Sequence, residues 1–358
     1  MPAKYKQLAA ALRTHAAAGA YAASGRLPTE QTLARQYGVS RQTVRQALAL
    51  LLQEGLIEKH QGSATRLAGQ CQARRSIAVV LSCQNDYIFP AVLEDIQGVL
   101  LENGYTPVVF STQNRAAPER EALLKILANP ALCGVLMEGV CTALPNPNLD
   151  LYAKLRQKGL PLVFLYGAPP GLAPCVCVGD DNEGGGGQLT QYLLDLGHRA
   201  IGGIFKSDDA QGPQRYYGYA CALRDAGLPL PGEHVLWYAT EDRRDILDTG
   251  DRHLLDTYIQ TRLRGCTAVV CYNDELAYWL VQELHRKGLR VPEDLSVVSF
   301  DNSYYSDSCS VKITSLAHEP HCLGRLAAQR LIDLLAGRPV KSTKIRWTLS
   351  RKESAAPR

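Results

Sequence analysis

No apolar run among the 358 residues reaches the ~18 needed to cross a bilayer, and the N-terminus has no charged-then-apolar leader. We therefore expect a soluble, cytoplasmic chain with no membrane partner. Cysteine numbers eleven, an odd count with no CxxC pair, and Cys175 and Cys177 are too close to chelate well. That argues against a disulfide framework or zinc ribbon and for ordinary thiols in a reducing compartment, with no metal site. There is no GxSxG, no GxGxxG after a first strand, and no repeat of 20–50 residues. "GGGG" at 184–187 is followed by no Lys-Ser/Thr pair, so close helix–strand packing is its expected role rather than phosphate binding. His285 has no metal-spaced partner and reads as a solvated helix end. No catalytic residue and no cofactor are expected.

Acid is scarce in one place. Residues 1–70 hold nine Lys or Arg and three Glu, a net of +6, whereas the remainder is close to neutral at −2. A small basic head on a large neutral body implies that the head alone meets a polyanion. Within it, "GVSRQTVRQALALL" (38–51) spaces Val44, Ala47, Leu48 and Leu51 as one buried helical stripe. Arg41 and Arg45 then share the opposite face, a like-charge pair that weakens an isolated helix by a few tenths of a kcal/mol. Lying in a DNA major groove would relieve that repulsion. Arg pairs bidentately with guanine, Gln with adenine, and Thr offers a hydroxyl and a methyl.

The preceding segments agree. Residues 4–18 read as a helix ended by Gly19, and Thr29 caps a second helix that stops at Gly38. "YGVS" is the short turn before a third helix capped by Ser40. "GLIEKHQGSATRLA" reads as two strands around Gly62, a wing. This head ends at residue 68, and "GQCQARR" (69–75) reads as a linker. From 76 to 358, β-branched runs such as "SIAVVLS", "TPVVFST" and "TAVVCYN" alternate with helix-length segments. About nine such strands predict two doubly wound lobes with parallel sheets and a cleft between them. The expected fold is thus an α+β winged helix-turn-helix domain followed by an α/β two-lobed domain. Polar groups follow several runs, in "NDYIFP", "FKSDDAQGPQRYYGY", "YNDE" and "SFDNS", where open sheets bind ligands. Carboxylates, cations and aromatic faces together suit a small polyol.

The head, through "LPTE", "GVSRQTVRQAL" and "GLIEKHQG", resembles the winged helix-turn-helix of the GntR family. The resemblance implies that Arg41, Gln42, Thr43 and Arg45 sit in or beside the groove and that Lys4 reaches a phosphate. It places Gln61 and Gly62 at the wing tip. Glu30 either orients an arginine or accepts from a cytosine amine. The wing departs from the family's GxGTF: Ala64 stands at the second glycine and Arg66 at the aromatic, where it either contacts phosphate or points to solvent.

The body, through "DLGHRAIGGI", "QRYYGY", "CYNDELA", "GLRVPEDLSVVSFDNS" and "ITSLAHEP", is similar to the sugar-responsive domain of the LacI/GalR repressors, itself akin to periplasmic binding proteins. A GntR-type head on this body resembles one group, the arabinose repressors. That resemblance implies a homodimer on double-stranded palindromic operator DNA, released when a sugar, L-arabinose, enters the cleft. It implies effector contacts from Arg215, Asn273 and Asp301, and then from Asp86, Tyr87, Glu138, Tyr166, Lys206, Asp208 and His318. The alternatives are a repressor of the same build tuned to another sugar, or an enzyme acting on a sugar derivative.

Overall fold

The computed structural model describes residues 4–17, 27–54, 56–58, 65–67, 76–84, 87–230 and 232–358. The chain divides into two units, 1–75 and 76–358. In the first, α1 (Lys4–Ala17), α2 (Glu30–Tyr37) and α3 (Arg41–Gln53) precede β1 (Ile57–Glu58) and β2 (Arg66–Leu67). Thr29 Oγ1 accepts from the Thr32 N–H at 3.2 Å to cap α2, and Gly38 ends it at φ +63°. Ser40 Oγ accepts from the Thr43 N–H at 3.1 Å, so α3 starts at Arg41, right after this cap. Leu8, Leu12, Leu33, Val44, Ala47, Leu48, Leu51 and Ile57 form the core. The stripe read from the α3 sequence is the buried one. β1 and β2 pair antiparallel, Ile57 with Leu67. The wing tip with Gln61, Gly62 and Ala64, and the segment 69–75, lie outside the described residues.

The second unit runs β3 (Ser76–Leu81), α4 (Phe89–Glu102), β4 (Thr106–Ser111), α5 (Ala116–Ala128), β5 (Leu132–Glu138), α6 (Leu149–Gln157), β6 (Leu162–Leu165) and β7 (Val176–Asp180). Next come α7 (Asn182–Asp195), β8 (Ile201–Lys206), α8 (Gln211–Asp225), β9 (Val235–Tyr238), α9 (Thr240–Arg244) and α10 (His253–Thr261). Then follow β10 (Ala268–Cys271), α11 (Asp274–Arg286), β11 (Ser296–Phe300), α12 (Tyr304–Ser308), β12 (Thr314–Ala317), α13 (Leu323–Leu335), β13 (Thr343–Ile345) and β14 (Thr348–Ser350).

These strands make two six-stranded sheets, ordered β13-β7-β6-β5-β3-β4 and β14-β12-β11-β10-β8-β9, parallel except for the β12–β14 pair. Among the described residues of this unit twelve strands replace the nine expected, because short ones such as β13 and β14 carry too few apolar residues to stand out. Both faces of each sheet are covered. In β3, Ile77, Val79 and Leu81 pack under α4 and α13, while Ala78 and Val80 face α5 and α6. That is why the run is apolar without alternation. The chain changes lobes three times: after β7, after β12, and between β13 and β14.

The "GGGG" run meets a strand at Gly185, where a Cβ would lie 2.8 Å from the Phe300 ring of β11, and a helix at its next residue. A Cβ at Gly186 would lie 2.0 Å from the Arg215 carbonyl oxygen of α8, and one at Gly218 would lie 1.9 Å from that of Glu183. Only glycine permits this backbone contact between α7 and α8.

Candidate effector cleft and DNA-binding face

The carboxyl ends of both sheets meet at a cleft of about 600 Å³, within the ~300–1,000 Å³ common for small-ligand sites. From the first lobe come Ser82, Gln113, Asn114, Glu138 and Tyr166; from the second come Lys206, Asp209, Thr240, Asn273 and Asp301. Phe89, Trp279 and Tyr305 add aromatic surface. Several of these positions hold non-glycine residues at positive φ: Tyr87 at 59°, Gln113 and Asn114 at 53°, Tyr166 at 62° and Asp301 at 93°. Such strain persists where the surroundings over-determine it, and it gathers at binding sites.

The charged groups of the cleft are held by one another and by neighbouring polar groups. Lys206 Nζ lies 3.1 Å from Asp208 Oδ1, donates to Asp209, and donates to Thr240 Oγ1 at 3.0 Å. Burial opposes its charge, but Asp209 and Asp208 outweigh that and hold the ammonium above its ordinary range. Arg215, 2% exposed, donates to Asn182 Oδ1 at 3.0 Å and to the Tyr272 carbonyl, and its Nη2 lies 3.5 Å from Asp301 Oδ1. Its guanidinium lies 4.1 Å from the Phe300 ring centroid and 4.8 Å from that of Tyr272. Tyr87 donates across the cleft to Asp301. Burial, with Asp301 next, drives the Tyr87 hydroxyl well above its usual range, so it remains a donor. Burial also lifts the Glu138 carboxyl to about 7, against the pull of the Ser82 N–H that donates to it at 2.6 Å. Arg243 pairs in bidentate fashion with Glu275, at 2.6 and 2.8 Å.

Seven of the ten expected effector residues thus line the cleft: Tyr87, Glu138, Tyr166, Lys206, Arg215, Asn273 and Asp301. Asn273 also caps α11, accepting from the Leu276 N–H at 3.0 Å. Asp86 lies outside the described residues. Two expectations need correcting in their placement. Asp208 sits behind Lys206 and accepts from the Thr240 N–H at 2.8 Å; its neighbour Asp209 faces the cleft instead. His318 does not line the cleft, because β12 ends before it and it turns into the crossover between lobes.

Sequence reasoning missed Asn114 and Thr240. Asn114 Nδ2 donates to Thr240 Oγ1 at 2.7 Å and to Asp209 Oδ1 at 3.1 Å, which bridges the lobes. Asn114 was visible in "TQN" after the "TPVVFS" run; Thr240 follows β9, too short to read. Trp279 was also missed, although it stands one helical turn from Glu275 on α11.

On the head, Lys4, Arg41, Gln42 and Arg45 are exposed, and Thr43 is half-buried. Glu30 Oε2 accepts from Arg45 Nε at 2.9 Å. Of the two expected roles for Glu30, orienting an arginine is thus formed within the protein itself. The backbone of Arg66 lies in β2.

A helix-turn-helix with a wing, joined to a two-lobed body with a polar interlobe cleft, is the build of a ligand-responsive transcription regulator. Residues 4–67 match the bacterial regulatory proteins of the gntR family, and residues 190–354 match the periplasmic binding protein-like domain. The arabinose metabolism transcriptional repressor of Geobacillus stearothermophilus is 36% identical over 94% of this chain and 92% of its own length. That of Halalkalibacterium halodurans is 34% identical over 94% and 90%. The chain belongs to the family of arabinose metabolism transcriptional repressors. Among solved structures, the complex of the regulator CelR with cellobiose has a TM-score of 0.68 at 24% identity, covering 92% of this chain and all of that one. The regulator CcpA of Lactococcus lactis gives 0.67 at 21%, covering 79% and 99%. These two likenesses bear on the fold. No helix among the described residues is long and apolar enough to cross a membrane.

Proposed function

We propose that a homodimer of this repressor holds a palindromic operator through the exposed α3 faces of its two heads, and that L-arabinose in the interlobe cleft releases it. The observation that supports this reading is the origin of the cleft groups. Asp301, Arg215 and Lys206 belong to one lobe, Glu138, Tyr166 and Asn114 to the other. A polyol that satisfies both sets at once binds one relative position of the lobes better than any other. It can therefore shift a two-state body, and by linkage operator DNA must weaken sugar binding by the same factor. A coupling of about 1–3 kcal/mol is typical. Membership of the arabinose-repressor family favours a pentose, and L-arabinose in particular.

The test is calorimetric titration of the full chain with L-arabinose, D-xylose, D-ribose and D-galactose, with and without an operator duplex selected from random sequence. L-Arabinose is expected to bind most tightly and to lose roughly tenfold affinity when operator is bound, within the range of typical couplings. Equal affinity with and without operator would refute the release mechanism; preference for another sugar would refute the pentose assignment.

A further inference from the structure

Each of the three crossovers between lobes contributes one side chain to a single buried cluster. Asp180 ends β7, His318 follows β12, and Trp347 lies between β13 and β14. The His318 ring stacks on the Trp347 indole, centroids 4.4 Å apart and planes 21° apart. His318 Nε2 lies 3.1 Å from Asp180 Oδ1. Beyond the indole, the Phe300 ring is 5.6 Å away edge-on and the Arg215 guanidinium is 5.6 Å from the ring centroid. The indole occupies this slot because residue 185 is glycine: a Cβ there would lie 2.7 Å from Trp347 Cδ1. The cluster therefore joins all three crossovers to the cation that holds Asp301 in the effector cleft.

We propose that His318 is a positioning residue of the hinge, and that its protonation and the occupancy of the cleft are linked through Asp180, Trp347 and Arg215. The inference rests on the reading that the cleft binds the effector. Among the described residues, three buried polar atoms of the cluster, Asp180 Oδ1, His318 Nε2 and Trp347 Nε1, find no aligned hydrogen bond. The His318–Asp180 contact has the distance of an ion pair without the angle of a hydrogen bond. The ion pair ties the end of β7 to the segment after β12, and the stack ties that segment to the one between β13 and β14. Rotation of one lobe against the other must move the three crossovers relative to each other. Both contacts span different crossovers, so such a rotation acts directly on the stack and the ion pair.

The charged groups facing His318 are Asp180, Asp301 and Arg215. Burial disfavours the imidazolium and Arg215 repels it, but Asp180 and then Asp301 outweigh both, so its pKa is raised. Tyr166, whose hydroxyl is pushed well above its usual range, adds no charge. A raised pKa means that this arrangement of the lobes holds the proton more tightly than an exposed histidine would. Its advantage is fully present below the ordinary histidine range and is lost as pH rises through the raised value. A sugar that selects this arrangement binds more weakly as pH rises.

The test uses the full chain and L-arabinose from pH 5.5 to 8.5. Sugar affinity is expected to fall several-fold across that window, with fractional proton uptake on binding seen in buffers of different ionisation enthalpy. His318→Gln is expected to bring acid-range sugar affinity down towards the alkaline limit and to cut proton uptake to the share of Glu138, whose carboxyl is lifted to about 7. By the same linkage it should remove the matching weakening of operator binding at low pH. Tryptophan emission of the sugar-free chain should show quenching by the imidazolium at low pH that the variant lacks. If no sugar binds at any pH, the reading of the cleft fails. If sugar binds with pH-independent affinity, or His318→Gln keeps the wild-type pH dependence and proton uptake in full, the hinge inference alone is overturned.

Discussion

The α3 face and the effector cleft use arginine in opposite ways. On α3, Arg41 and Arg45 are exposed, and Arg45 keeps most of its side chain in water while Glu30 steadies it. In the cleft, Arg215 is fully buried, clamped by Asn182, Tyr272 and Asp301 and lined by aromatic rings. An exposed arginine costs the fold little and keeps its hydrogen-bonding capacity for a polyanion. A buried one is tolerable only with partners in place, and removing a partner is then expensive. The head is thus built to make its bonds on arrival of DNA. The body makes its own in advance and offers a ligand a preorganised surface.

Four substitutions test this contrast, taken from the largest effect to the smallest. Asp301→Ala removes the ion-pair partner of a buried guanidinium and should cost the body about 3–5 kcal/mol, read by denaturant unfolding. It should also abolish release by sugar while operator binding by the heads persists below the melting range. A loss under 1 kcal/mol would show that Arg215 does not depend on this partner.

Gly186→Ala forces a methyl to within 2.0 Å of the Arg215 carbonyl and must part α7 from α8. We expect a loss of about 1–3 kcal/mol, with sugar affinity falling and operator affinity unchanged. Wild-type sugar affinity would mean that the seam does not position Arg215. Arg45→Ala should leave unfolding almost untouched, yet weaken operator binding by about 1–3 kcal/mol and relax preference at one base position. Weakening that is uniform across sequences would make it a phosphate contact. Ser40→Ala removes the α3 cap and should cost the head about 1 kcal/mol. No change in head stability would show that another acceptor takes its place.

Legibility in the sequence followed the range of the interactions. The head was readable almost residue by residue, since caps at Thr29 and Ser40, a stop at Gly38 and a 3.6-residue stripe are local signals within a few residues of their effect. The long buried strands of the body were equally plain. The short β9, β13 and β14 were not, because their pairing is set by neighbours far along the chain. In the cleft, residues just after recognisable strands were found, including Lys206 and Asp301. Asn114 and Thr240 were missed because their importance is a bond to each other across 126 residues. For the "GGGG" run the strand contact of Gly185 was foreseen but the α8 contact of Gly186 was not, since nothing local says which surface a glycine face will meet.

The sequence by itself determined the two units, the helix-turn-helix with its cationic face, and the parallel-sheet character of the body, all properties of periodicity and local capping. Only the tertiary structure decided which polar groups share a cleft, which of Asp208 and Asp209 faces it, and where His318 lies. Those outcomes depend on strand order and on three lobe crossovers. They juxtapose Asp180, His318 and Trp347 from segments far apart in the chain, and no local pattern encodes such a meeting.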